Sequence, residues 1–261
     1  MSYGPKRQNN ALYGDGSDGD VSITSGTTTL TSDMFYNSLT ISVGAVLKTS
    51  VYRTFVKTRL VNNGLIHSNG VDGGGNAGND SFPEGPIGVS YQIGGNGGNG
   101  GAGTMSDGGL ATSNTGVPET SGGINIASSY PFCLVGYANL GQSSQFAGGA
   151  AGGGGGGSTG ADLFVGGTGG GPGGVVIIAA KSLSGSGSIQ ALGGNGNDSP
   201  TVDTGSGGGG GGGALIIITG NDATAVGMTY AVTGGVAGTP NGGTSGDAGS
   251  DGNIFYVRNS L

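Results

Sequence analysis

Gly94-Gly95-Asn96-Gly97-Gly98-Asn99-Gly100-Gly101-Ala102 repeats Gly-Gly-X without a break. Three residues per turn is the polyproline II period, with a rise of about 3.1 Å per residue and no internal hydrogen bonds. An isolated helix of this kind leaves its backbone groups to water. A bundle of them can pair those groups with one another, which buried N–H and C=O groups require. Such a bundle needs residues without Cβ wherever backbones touch, hence glycine. The third position of each turn can point outward and carry Asn or Ala.

Working outward, further glycine tracts cover residues 148–160, 166–174, 193–196, 205–213 and 234–252. Val175-Val176-Ile177-Ile178 follows one tract and Leu215-Ile216-Ile217-Ile218 follows another. Aliphatic blocks of this kind read as buried strands. Val175–178 and Ile216 onward are related by 41 residues, as are Ile189-Gln190-Ala191 and Tyr230-Ala231-Val232. Each copy reads as glycine run, buried strand, polar turn, shorter alternating strand, more glycine. A weaker echo aligns Leu60 to Gly70 with Leu183 to Gly193, setting Gly64 on Gly187 and Ile66 on Ile189.

The whole chain carries 67 glycines among 261 residues, against about 7% in average proteins. Only Glu84 and Glu119 supply glutamate, and no stretch has helical apolar spacing. A flexible linker is opposed by a mean hydropathy of −0.02, by a net charge of only −7 and by the aliphatic blocks. Collagen is opposed by eight prolines and irregular glycine spacing.

From Val21 to about Gly70 the pattern alternates, as in Leu39, Ile41 and Val43. Arg53, Lys57 and Arg59 share one strand face with Phe55, while Tyr52, Val56 and Leu60 share the other. The expected fold is all-β and irregular, without a substantial α-helix. An extended arm covers 1–13, a β-rich attachment region 14–70, and a glycine-rich domain 71–261. In that domain stacked polyglycine II helices are flanked by short strands and interspersed with loops. A β-solenoid with glycine turns is the alternative.

Chemistry is sparse. His67 is the only histidine, and no Gly-X-Ser-X-Gly elbow accompanies it. Asp162 and Glu119 could be invoked as glycosidase carboxylates, but nothing pairs them. Gly193-Gly194-Asn195-Gly196-Asn197-Asp198 fits one unit of a calcium-binding β-roll, yet it occurs once and Pro200 stands where an aliphatic belongs. Asp15, Asp18 and Asp20 lack the spacing of an EF-hand. Cys133 stands in an apolar context and cannot form an intramolecular disulfide. No catalytic residue, metal or cofactor is expected. Six of the eight basic residues precede position 60, which suggests two ends with different partners. A pI near 4.3 argues against nucleic acid. No run of eighteen apolar residues and no signal-like N-terminus is present, so a soluble product without membrane insertion is expected.

Glycine tracts alternating with variable aromatic segments resemble the glycine-rich tip adhesins of T-even-like phage long tail fibres, across roughly residues 70–252. That resemblance implies a sandwich of polyglycine II helices with receptor-binding loops at its distal end. The N-terminal stretch departs from it and looks like the start of many glycine-rich phage tail proteins. The functional expectation is a virion protein, made in the host cytoplasm. It would be a tail-fibre or tail-tip component that binds a bacterial surface glycan or outer-membrane protein. Phe82, Tyr91, Tyr130, Phe132, Tyr137 and Phe146 are the expected receptor-binding residues, since they lie between glycine tracts. Other tail or fibre proteins would be held through the N-terminal region, and self-association is left open. Alternatives are a purely structural virion component without receptor contact, and a glycan depolymerase.

Overall fold

The computed structural model describes residues 12–50, 52–73, 91–92, 146–147, 166–200, 202–223 and 227–258. Thirteen strands occur among them: β1 (Asp20–Ile23), β2 (Thr27–Thr29), β3 (Met34–Ile41), β4 (Val46–Lys48), β5 (Arg53–Asn62), β6 (Leu65–His67), β7 (Tyr91–Gln92), β8 (Phe146–Ala147), β9 (Val175–Ser184), β10 (Ser188–Gln190), β11 (Ala214–Thr219), β12 (Thr229–Ala231) and β13 (Asn253–Arg258). No α-helix is present among the described residues.

Apart from the small β7–β8 pair, successive strands alternate between two sheets. One has the order β1-β3-β5-β9-β11-β13 and the other β12-β10-β6-β4-β2. Every strand pairing is parallel. A chain that returns each time beside its previous pass is a coil of stacked rungs. Both sheets run unbroken from the first rungs into the glycine-rich ones, because β5 pairs with β9 and β6 with β10.

The core lies between the sheets. Leu39, Ile41, Leu60, Ile178, Leu183, Leu215 and Ile217 meet Leu47, Ile66 and Ile189 from the opposite side. Each buried aliphatic side chain of this size contributes roughly 1.5–3 kcal/mol. The outer face of the six-stranded sheet carries a second apolar cluster, with Tyr13, Phe55, Val175, Ala179, Ile216 and Ile218. All six residues of β11 are therefore buried, as a continuous apolar run in a parallel strand implies. The alternation in β5 is only partly what its sequence indicates. Val56 and Leu60 enter the inter-sheet core, but Phe55 is also buried, stacked on Phe35 at 5.0 Å between ring centroids. A bulge between Val56 and Arg59 separates it from the exposed Arg59.

The early rungs are short and the late ones long. Asp20 is level with Ser38 and Thr27 with Val46, whereas Val175 is level with Ala214 and Ser188 with Thr229. Glycine tracts supply the added length. One tract leads into each of β9, β11 and β13, and one leads out of β10 and β12. Their hydrogen bonds recur at every third residue. Gly167, Gly170 and Gly173 donate to the carbonyls of Gly205, Gly208 and Gly211 at 2.9 Å. Gly207, Gly210 and Gly213 donate to Asn197, Gly194 and Ala191 at 2.7–3.0 Å. Gly209 and Gly212 donate to Asp247 and Ser250. The 205–213 tract is bonded to four other tracts. The spacing leaves no room for a side chain, since a Cβ on Gly212 would lie 1.8 Å from the Val232 carbonyl oxygen.

Candidate functional site: the tip of the glycine tracts

Outgoing and incoming tracts are joined at the end remote from the sheets by turns at 199–204 and 240–245. Thr204 and Asn241 exchange backbone hydrogen bonds at 3.2 Å, and Ser199 donates to the Thr239 carbonyl at 2.9 Å. Asp203 has φ of 58° and Gly242 of 88°, the left-handed conformation that reverses a chain sharply. The Ser199 and Thr204 hydroxyls are hydrogen-bonded to each other and buried. Val202 is exposed at the crest of its turn, with 56% of its surface accessible.

The third rung opens at this same end. Gly73 donates to the Asn195 carbonyl at 2.7 Å, and Asp72 Oδ1 accepts from the Asn195 N–H at 2.7 Å. Residues 72 and 73 therefore stand beside 195 and 196, close to the tip. The returning chain is adjacent, because a Cβ on Gly73 would lie 2.4 Å from the Thr168 carbonyl oxygen. Gly73 and Thr168, which lie on either side of the 74–165 segment in the sequence, thus stand side by side near the tip.

Side chains bind the tip rungs together. Asn69 Oδ1 accepts from Leu192 N–H at 2.9 Å, Asn195 Oδ1 from Val236 N–H at 3.0 Å, and Asp198 Oδ1 from Thr239 N–H at 2.6 Å. The last bond holds the Asp198 carboxyl below its usual pKa. These acceptors satisfy backbone N–H groups of the tracts that no backbone carbonyl among the described residues pairs with. Sequence reading missed the ladder. Its only signal is a carboxylate or amide side chain recurring every third residue at 69, 72, 195 and 198.

Of the expected receptor residues, Tyr91 and Phe146 are brought together. They are partners in the parallel β7–β8 pair. Phe82, Tyr130, Phe132 and Tyr137 lie outside the described residues, as do the 94–102 tract, Glu119, Cys133 and Asp162. His67 is half-buried in β6, and its Nδ1 accepts from the Asn69 N–H at 3.2 Å. Burial, with a smaller push from Lys48, lowers its pKa. In the single β-roll-like unit, Asp198 is engaged by Thr239. Among the described residues no group of three His, Cys, Asp or Glu could hold a metal ion, and no helix is long and apolar enough to cross a membrane.

The described residues define a parallel two-sheet β coil, elongated by glycine tracts. No protein-family model, curated protein or solved structure matches the chain.

Proposed function

We propose that the chain is a tail-fibre or tail-tip protein of a bacteriophage virion, and that it presents loops for recognition of a host-surface receptor. In this reading the glycine tracts are polyglycine II helices forming a stiff stalk. Residues 1–70 attach the protein to its virion neighbour. Segments 79–92, 104–120 and 124–146 carry specificity for a bacterial glycan or outer-membrane protein.

The single observation behind this reading is that Gly73 and Thr168, on either side of residues 74–165 in the sequence, stand side by side near the tip. Tracts whose backbones touch tolerate almost no side chains, so they cannot encode specificity. Residues 74–165 carry Phe82, Tyr91, Tyr130, Phe132, Tyr137 and Phe146. The flanking Gly73 and Gly167 are hydrogen-bonded into the scaffold, so in this reading the segment between them is presented with less ordering cost on binding. Tyrosine and phenylalanine supply stiff contact area. The period-three hydrogen bonds between tracts support the polyglycine II assignment.

The test substitutes Tyr130→Ser and Tyr137→Ser, and separately exchanges the whole 124–146 segment. Melting temperature is checked first, and then adsorption to host cells is measured. Adsorption should fall while the melting temperature stays near that of the wild type. Unchanged adsorption by all the stable variants rules the segment out.

A further inference from the structure

Asparagine followed by glycine is prone to attack on its own side chain, because glycine has no Cβ to hinder its backbone nitrogen. The described residues hold four such pairs: Asn63-Gly64, Asn69-Gly70, Asn195-Gly196 and Asn241-Gly242. Their local chemistry is the same, so the fold decides which of them can react.

Three pairs have both reacting groups engaged. Gly70 N–H donates to the Leu192 carbonyl at 2.8 Å, while Asn69 Oδ1 accepts from Leu192 N–H at 2.9 Å. Gly196 N–H donates to the Val236 carbonyl at 2.8 Å, while Asn195 Oδ1 accepts from Val236 N–H at 3.0 Å. Gly64 N–H donates to Asn62 Oδ1 at 3.2 Å, and Asn63 Oδ1 accepts from Ser186 N–H at 3.2 Å. In each pair these bonds must open before the glycine nitrogen can turn onto the asparagine Cγ.

Asn241-Gly242 differs. It lies in the 240–245 turn at the tip, and both residues are exposed. The Asn241 backbone N–H and C=O are tied to Thr204 at 3.2 Å. Neither its side-chain amide nor the Gly242 N–H has a hydrogen-bond partner among the described residues. Exposure alone does not set the pair apart, since Asn195 is exposed as well. The missing hydrogen bonds do. The turn itself requires glycine at 242, where φ is 88°.

We propose that Asn241-Gly242 is a site of spontaneous covalent modification, which converts Asn241 to aspartate and isoaspartate at the tip. The Gly242 nitrogen attacks Asn241 Cγ. An N–Cγ bond forms, the Cγ–Nδ2 bond breaks, and Nδ2 leaves as ammonia with the Gly242 proton, closing a succinimide ring. Water is the co-reactant that opens the ring. Opening at Cγ gives aspartate, and opening at the main-chain carbonyl of residue 241 gives isoaspartate. Nothing is oxidised or reduced. Either product places a new carboxylate near Asp203, whose Oδ1 would lie 3.0 Å from a Cβ on Gly242. Isoaspartate also adds a carbon to the main chain between the N–H and C=O that bond Thr204, so the present pairing of the two tip turns is lost. The inference does not depend on the virion reading.

The test incubates the full wild-type chain in mildly alkaline buffer. Deamidation at all four pairs is followed by peptide mass mapping, and isoaspartate in each peptide by isoaspartyl-methyltransferase labelling. A parallel sample is unfolded in guanidinium chloride, with unfolding checked by circular dichroism. In the folded chain the other three pairs must break hydrogen bonds by local opening, so position 241 should lead them by about tenfold or more. In the unfolded chain that lead should collapse. Modification at 241 no faster than at 63, 69 and 195 in the folded chain overturns the inference. An undiminished lead in the unfolded chain also overturns it, by placing the cause in local sequence rather than in the hydrogen bonds.

Discussion

Gly210→Ala measures how strongly the glycine tracts depend on backbone contact. Gly210 donates to Gly194 at 2.9 Å and accepts from Gly235 at 2.7 Å. A Cβ there would stand 2.1 Å from the Gly171 carbonyl oxygen, where ordinary contact begins at 3.4 Å. One backbone must therefore retreat by more than 1 Å. The Gly171 carbonyl cannot do so freely, because it accepts the Gly194 N–H at 2.8 Å. The methyl group thus disturbs three linked hydrogen bonds in a buried part of the bundle. Each group left unsatisfied costs about 1–3 kcal/mol. The combined loss is roughly 3–9 kcal/mol, against a typical total stability of about 5–15 kcal/mol. At about 2–4 °C per kcal/mol for a chain of this size, the melting temperature should fall by at least roughly 6 °C. Gly227→Ala is the control, since its Cβ would meet nothing closer than the Gly185 oxygen at 3.8 Å. It should change stability by no more than about 0.5 kcal/mol. The assay is thermal unfolding followed by circular dichroism. Equal melting temperatures for Gly210→Ala and wild type would refute the reasoning.

Two further outcomes follow from side chains that tie rungs together. Asn221 accepts from Leu183 N–H at 2.9 Å and donates to the Leu183 carbonyl at 2.7 Å, so Asn221→Ala should cost about 1–3 kcal/mol in denaturant unfolding; a midpoint matching wild type would count against that bridge. His67 has its folded pKa lowered below 6.5, so its contribution is complete above that value and is lost as pH falls through the folded pKa. His67→Gln should flatten the decline in melting temperature on acidification below about pH 6.5, and an unchanged slope would show that other groups set it.

Much of the coil is legible in the sequence. The echo between Leu60–Gly70 and the later repeat is the true register, because Leu60 pairs with Leu183 and Ile66 with Ile189. The repeat of 41 residues holds in the five-stranded sheet, where Ile189 is level with Tyr230. In the six-stranded sheet it does not, since Val175 is level with Ala214 rather than Ile216. A run buried on both faces gives no alternation to set its register. The flanking glycines set it instead, through bonds such as Ala214 N–H to the Gly174 carbonyl at 3.0 Å. The two-residue difference is absorbed by the longer turn between β11 and β12. The second apolar face around Phe55 was hidden for a related reason. Flanking Arg53 and Lys57 make that face read as wet, although Arg53 is drawn aside to Asp33, with its Nε 2.7 Å from Asp33 Oδ2. The tip was visible only as glycine punctuated by Asp and Asn. That Gly73 and Thr168 stand side by side is a long-range property with no local sequence signal.

In the proposed function, recognition lies within residues 74–165 and the coil only presents them. Because Gly73 and Thr168 are in contact, a short Gly-Ser linker can replace residues 75–164. Labelled wild-type and linker-closed proteins would be compared for binding to host cells by flow cytometry. Saturable binding by the wild type and none by the closed coil is the expected result. Equal binding by the two proteins would contradict the proposed division of labour.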